Sequence, residues 1–389
     1  LWFIQHSLWD WSRAPNITAE LKDAFEEGYA AVNEHFAEVV AQEVERCDGD
    51  ATVMIHDYHF YLVAGLVRER CPDVFLHHFI HVPWPQPESW RVLPGPMRYR
   101  LLRGLLANDV VAFHTEHFAR NFLLSCQELL ELPINLDDFT VRVGDRRVAA
   151  RWYPISLDVE GFEALASSPE VLEHEHRLAN TRREYLILRV DRADLSKNIL
   201  RGFLAFDRLL DQHPDLAGRV TFLALVQPSR EDVEEYANYA DRMHRLVADI
   251  NLKHGHTEWQ PVDLRFESNF LQAVGAYRIY DALLVNPVFD GMNLVAKEGV
   301  LANQRDGVLV LSEHAGAYHE LGAFALVVHP FDIEQQAESL YRALTLDQAD
   351  RRALHQACLD VVRGNDLTKW FRAQLSDISE LRARLPSRT

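Results

Sequence analysis

Short apolar runs separated by longer amphipathic stretches recur along the whole chain. ATVMI (51–55), DVFLHHFI (73–80), DVVAF (109–113) and VAARWY (148–153) each read as a strand. The alternation resumes with YLILRV (185–190), VTFLALV (220–226), ALLVNPV (282–288), VLVLS (308–312) and ALVV (325–328). Between these runs, apolar positions recur at helical spacing. Over 20–45, Leu21, Phe25, Val32, Phe36, Val40 and Val44 predict an amphipathic helix with that stripe packed into the core. Strand–helix alternation of this length predicts an α/β fold with parallel sheets and helices on both faces. The polar helical stretch 159–183 holds no strand run and reads as the join between two such units. The expectation is two doubly wound, Rossmann-like domains facing across a cleft, 1–157 and 158–389, with the last helix returning toward the first.

Composition narrows the partners. The 389 residues are 48% hydrophobic and 25% charged, as in a globular protein, and the net charge of −18 argues against general binding of nucleic acid or an anionic membrane. Any basic cluster is therefore a local pocket rather than a wide patch. Cys47, Cys71, Cys126 and Cys358 lie far apart with no CxxC pair, which speaks against a disulfide framework or a thiolate metal site and suits the cytoplasm. No apolar stretch approaches the length of a membrane span, and no signal peptide is visible. The chain begins at Leu1 in mid-pattern and is expected to lack its natural N-terminus.

In open parallel sheets ligands bind beyond the carboxyl ends of the strands, so the residues after each run carry the candidate chemistry. HDYH (56–59) is either a site or a helix start capped by Asp57, the cap being the favoured reading. In HVPWPQP, three prolines make a rigid loop that holds His81, as a site residue or as a hydrogen-bonded structural one. His77 and His78, within the strand, read as structural. DRADLSKN places Arg192 and Lys197 around a short loop before a helix, an arrangement that suits a diphosphate or a salt-bridged surface loop. QPSRED sets Arg230 at a predicted helix start, where a cation opposes the helix dipole and so points to an anion to be bound.

FDGMNLVAKE combines these features. Gly291 allows a tight turn, and a helix beginning near Asn293 leaves the N–H groups of Met292, Asn293 and Leu294 for an anion. Glu298, one turn in, reaches a neighbouring hydroxyl or is a surface glutamate. Met292 reads as packing around a ligand. Asp48-Gly-Asp50 has the form of a metal-binding DxD but precedes a strand, and reads as a turn. No GxGxxG, Walker lysine loop, HExxH or GxSxG occurs.

HDYHF, FIHVPWPQPESWRVLP, VDRADLSKN, PSREDV and DGMNLVAKE, in this order, resemble the trehalose-6-phosphate synthases, retaining glycosyltransferases of the GT-B fold, from Leu1 to about Leu381. The resemblance implies transfer of glucose from UDP- or GDP-glucose to glucose 6-phosphate. It assigns Arg192 and Lys197 to the donor diphosphate, Asp290 and Gly291, Met292, Asn293, Leu294 and Val295 to the donor sugar and phosphate, and Glu298 to the nucleotide ribose. His81 falls beside the donor sugar. Trp2, Asp57, Tyr58 and Arg230 fall on the acceptor side, Arg230 at its 6-phosphate. No metal and no cofactor is implied for the chemistry, and a homo-oligomer is allowed.

Three departures accompany the resemblance. The family's usual upstream strand and glycine-rich loop precede the point where this chain begins. ERLDYxKG appears as VDRADLSKN. HVPWP, with Trp84, is closer to the validoxylamine phosphate synthases, pseudo-glycosyltransferases of the same fold, which do not keep the NLVAKE segment found here. The alternatives to the leading expectation are a different phosphorylated acceptor, such as a pseudo-sugar phosphate or glycerol phosphate, and a catalytically silent sugar-phosphate sensor.

Overall fold

Every apolar run named above becomes a strand in the computed structural model, which describes residues 1–10, 12, 14–47 and 50–384. The chain divides into two compact units, Leu1–Pro154 with Phe371–Thr389, and Ile155–Trp370. In the first unit the strands are β1 (Thr52–His56), β2 (Phe75–Phe79), β3 (Val110–Phe113), β4 (Ile134–Asn135), β5 (Thr140–Val143) and β6 (Arg146–Trp152). They lie in the order β1-β2-β3-β6-β5-β4, parallel from β1 to β6 and antiparallel through β5 and β4. The second unit holds β7 (Tyr185–Arg192), β8 (Val220–Gln227), β9 (Val262–Phe266), β10 (Ala282–Val285), β11 (Val308–Ser312) and β12 (Leu326–Val328). Their order is β12-β11-β10-β7-β8-β9, and every pairing is parallel. The α/β architecture with two mostly parallel sheets is therefore as foreseen. The helices Val159–Ala166 and Pro169–Ala179, in the stretch expected to join the units, fall inside the second. Among the described residues, no helix is long and apolar enough to cross a membrane.

The long N-terminal helix corrects the predicted stripe. Val44 of that stripe is buried and Val40 packs against the core, but Leu21, Val32 and Phe36 are 44%, 50% and 45% exposed, and Ala30, Asn33, Ala37 and Ala41 are buried instead. The cause is a π-helical stretch, Ala24–Ala30, between the α-helices Ala19–Asp23 and Ala31–Arg46. Hydrogen bonding from i to i+5 rotates the following turns relative to a 3.6-residue repeat. The face that packs is the one with small side chains. Ala37 and Val44 meet Val63, Ala64 and Val67 of the helix Val63–Arg70 there.

Asp48 lies outside the described residues, while Asp50 pairs with Arg382 at 2.7 Å. Trp84 is a core residue: fully buried, it donates Nε1–H to Ser125 Oγ at 3.1 Å and packs on Trp90, Phe113 and Phe122. It records how this interior is filled.

β2 is buried along its whole length, including His77 and His78. Burial holds both imidazoles neutral, with pKa values lowered to about 3. In the unfolded chain they titrate near 6.5, so the unfolded state takes up protons first as the pH falls. Stability from this source is complete above about pH 6.5 and drains away down to about pH 3. Two such groups give a slope of about 2–3 kcal/mol per pH unit. Urea unfolding at pH 7 and pH 5 is expected to show that loss, and equal midpoints would contradict the assignment.

Candidate active site

The second sheet reverses direction at β7. From there the chain runs through β8 and β9 on one side and through β10, β11 and β12 on the other, so a crevice opens at the carboxyl ends of β7 and β10. Two of the sequence's three anion-binding candidates, DRADLSKN and FDGMNLVAKE, lie at this point. β7 ends at Arg192 and leads through a short 3-10 turn, Leu195–Lys197, into the helix Ile199–Gln212. β10 leads through Asn286 to Asn293 into the helix Leu294–Ala302.

Backbone hydrogen bonds join the two loops to each other and to a third. Val288 N–H donates to Ser196 O at 2.8 Å, Gly316 N–H to Asp290 O at 3.1 Å, and Ala317 N–H to Met292 O at 2.8 Å. A Cβ on Gly316 would stand 1.9 Å from Gly291 O, so this approach requires glycine at 316. The turn itself differs from expectation. Gly291 is not among the residues with positive φ; Asn293 is, at 72°, and it caps the helix in the left-handed region. A side-chain amide tolerates that conformation, and Asn293 Nδ2–H donates to Asp290 Oδ2 at 3.0 Å.

A cavity of about 240 Å³ opens here, lined by Arg192, Lys197, Asn293, Leu294, Val295 and Glu298. Lys197 Nζ forms an ion pair with Asp290, a partnership the sequence did not disclose. Burial disfavours the Lys197 ammonium, but Asp290 and Asp191 outweigh it and hold its pKa above the ordinary lysine value. Asp191 also lines the cavity; burial pushes its carboxyl up to about 6, although Arg189, 3.2 Å away, pulls it down. Burial likewise raises Glu298, whose Oε2 accepts from Tyr277 O–H at 3.0 Å. Tyr277 was missed, and so was the rim Glu267–Phe270. Both follow β9, so finding that strand would have directed attention to them. Asp290, Gly291 and Met292 do not line the cavity, and Met292 packs in the hydrophobic core.

Arg230 corrects a second expectation. The helix after β8 spans Glu234–His254, so Arg230 precedes it by four residues and the dipole argument does not apply. What marks Arg230 instead is a left-handed backbone, φ 51°, and a tethered head. Its Nη1 donates to Tyr236 Oη at 2.7 Å and stands 3.9 Å from the fully buried carboxylate of Asp194. Tyr236 O–H in turn donates to Asp194 at 3.1 Å. The guanidinium is aimed by a buried anion while 31% of the side chain stays exposed. It does not line the 240 Å³ cavity.

In the first unit, Asp57, Tyr58, His81 and Trp2 come together. Asp57 does not cap the following turn with its side chain; with φ 69° it accepts instead from His81 N–H at 3.3 Å. The favoured cap reading is thus replaced by a strained residue holding the neighbouring loop. His81 Nε2 lies 3.0 Å from His56 Nδ1, and burial, then the His56 ring, lowers its pKa to about 4. At neutral pH it is an uncharged hydrogen-bonding group. Trp2 stacks on His6 with ring centres 3.9 Å apart and approaches Tyr58 at 5.9 Å. His77 and His78 remain structural, His78 Nε2 bonding to Asp57 O at 2.9 Å.

The family model described as glycosyltransferase family 20 matches residues 1–380. A bifunctional trehalose-6-phosphate synthase/phosphatase of Thermoproteus tenax is 35% identical over 374 residues, 95% of this chain and 50% of that protein. An α,α-trehalose-phosphate synthase (UDP-forming) of Pichia angusta is 34% identical over 88% of this chain and 72% of its own length. The chain thus spans half of the first relative and under three quarters of the second. Among solved structures, a UDP-forming synthase of Burkholderia xenovorans in complex with glucose-6-phosphate superposes with a TM-score of 0.86 at 28% identity, covering 97% of this chain and 82% of that one. An E. coli structure bound with UDP-2-fluoro glucose gives a TM-score of 0.87 at 30% identity, covering 99% and 83%.

Proposed function

This chain belongs to glycosyltransferase family 20, and from that premise we propose that it moves glucose from a nucleotide-glucose donor to glucose 6-phosphate, giving trehalose 6-phosphate and a nucleoside diphosphate. The observation that carries the proposal is the convergence of Arg192, Lys197, a helix N-terminus at Leu294 and Glu298 on one cavity. Two cations and a helix start suit a diphosphate, and a carboxylate one turn further suits a ribose diol. The E. coli structure bound with UDP-2-fluoro glucose, and relatives named as UDP-forming synthases, support the same reading.

Loss of the nucleoside diphosphate builds negative charge on its oxygens. Lys197, held by Asp290, and the helix start are in place before that charge appears, with Arg192 beside them at the cavity wall, which is how preorganised groups lower a barrier. These cations take the part a metal plays elsewhere, so neither metal nor cofactor is assigned to the chemistry. Asp290, held by Lys197 and Asn293, orients the ammonium and is assigned to the donor sugar. Neutral His81 exchanges hydrogen bonds with sugar hydroxyls, with Trp2, Asp57 and Tyr58 assigned to the acceptor. Arg230 binds the acceptor phosphate and turns that binding energy into orientation of the attacking hydroxyl. Attack occurs on the face the leaving group departs from, and the departing phosphate takes the hydroxyl proton, so configuration is retained without an enzyme nucleophile. The four free cysteines suit a cytoplasmic setting.

Glu298 offers a test of the donor site. Glu298→Gln removes a charge-assisted acceptor while keeping size, and nucleoside diphosphate affinity by calorimetry is expected to fall about tenfold. Unchanged affinity in a folded variant would remove the donor assignment.

A further inference from the structure

Behind the donor loop lies a cluster that the proposed chemistry does not use. β11 and β12 pair in parallel with Ser312 opposite Val328, and the residues immediately after the two strands are Glu313 and His329. His314 follows Glu313 and turns back toward the β10 loop. One ligand atom from each of Glu313, His314 and His329 lies within 4.8 Å of the other two. Glu313 Oε1 and His329 Nε2 are 3.9 Å apart, and the two imidazoles meet nearly edge to face at 5.5 Å. We propose that Glu313, His314 and His329 form a binding site for a borderline divalent cation of the zinc type. It is independent of the donor-site reading.

The tautomers support it. His314 Nδ1 lies 2.9 Å from Val288 O, and a carbonyl only accepts, so Nδ1 carries the proton and Nε2 keeps its lone pair. An imidazole whose second nitrogen is fixed by a carbonyl is the usual metal-ligating form. His329 Nδ1 receives only a long contact, 3.4 Å, from Phe331 N–H, so either ring nitrogen can turn to a cation. Two imidazoles and one carboxylate select zinc, cobalt or nickel over magnesium or calcium, which prefer oxygen. Side chains of Glu313 and His329 are 41% and 46% exposed, which gives them freedom to close on an ion. The other cluster among the described residues, Asp207, Asp211 and His254, has one imidazole and two carboxylates that are already paired. Lys253 Nζ already sits 3.0 Å and 2.7 Å from its carboxylates.

The place of the site gives the ion a structural role. His314 holds Val288 through its ring and Asp290 N–H through its carbonyl, at 3.2 Å. A cation on His314 would brace the loop that carries Lys197's partner from behind, away from the cavity. Cobalt(II) is the probe, added to full-length protein stripped with chelator. One equivalent is expected to bind with visible d–d absorption, to be displaced by zinc, and zinc is expected to raise the melting temperature. His329→Ala and, separately, Glu313→Gln are expected to weaken that binding by about tenfold or more and to remove the zinc-dependent rise, with melting in chelator unchanged. Absence of the absorption in the parent protein, or the same absorption and the same thermal rise in both variants, would overturn the site.

Discussion

Lys197→Ala is expected to impair both turnover and folding, and to do so for separable reasons. Lys197 is paired with Asp290, which is only 9% exposed. Removing the ammonium leaves a buried carboxylate without its cation, a change that typically costs about 3–5 kcal/mol of stability. It also takes away a contact to the leaving diphosphate, worth roughly ten- to a hundredfold in binding and more in the step where charge builds. The double variant Lys197→Ala with Asp290→Asn separates the two effects. Urea unfolding is expected to return most of the lost stability, because the orphan charge is gone. Nucleotide affinity and turnover are expected to stay low. Recovery of turnover alongside stability would mean that Lys197 serves the fold and not the diphosphate.

Arg230→Ala is expected to act on the acceptor alone. Loss of a charge-assisted contact to phosphate costs about 1.5–3 kcal/mol, again roughly ten- to a hundredfold. The apparent KM for glucose 6-phosphate should rise by that factor and turnover should fall, with nucleotide affinity little changed. Asp194 would keep its hydrogen bonds from Tyr236 O–H, Ser196 N–H and Ser196 O–H, and the lost cation stood 3.9 Å away, so stability should fall less than in Lys197→Ala. Offering glucose in place of glucose 6-phosphate removes the phosphate from the other side of the contact. The difference between parent and variant should then largely vanish. A difference that persists undiminished with glucose would show that Arg230 is not the phosphate anchor, and would favour an acceptor other than a sugar 6-phosphate.

Strands were legible in the sequence where they are buried on both faces. β3 and β10 are apolar throughout and β11 up to its final serine, all buried as central parallel strands are, and the His pair of β2 did not disguise it. β5 and β9 escaped because TVRV and VDLRF carry polar residues at half-covered positions, β9 at the sheet's edge. The β5–β6 turn did have a signal, a glycine in VGDR with φ 60°. The N-terminal helix was legible but its buried face only at Val40 and Val44, since a π-helical stretch shifts the phase of any repeat read straight through. For the site, inspection of strand ends located DRADLSKN and DGMNLVAKE, because the position of a crevice follows from topology. The pairings within it did not follow. Lys197 with Asp290, Tyr277 with Glu298 and Arg230 with Asp194 join residues 93, 21 and 36 positions apart in the chain, and only the folded backbone selects them. Asp57 shows the same limit: its sequence context suited a cap, whereas its φ of 69° turned the carboxylate toward His81.

The identity and linkage of the product test the central claim most directly. Purified protein given UDP-glucose or GDP-glucose with glucose 6-phosphate should release nucleoside diphosphate and a phosphorylated disaccharide in equal amounts. Proton NMR of that product should show two α-anomeric protons and no free reducing end, the signature of an α,α-1,1 linkage made with retention. A β-anomeric signal, a disaccharide with a reducing end, or nucleotide release unaccompanied by any disaccharide would contradict the account.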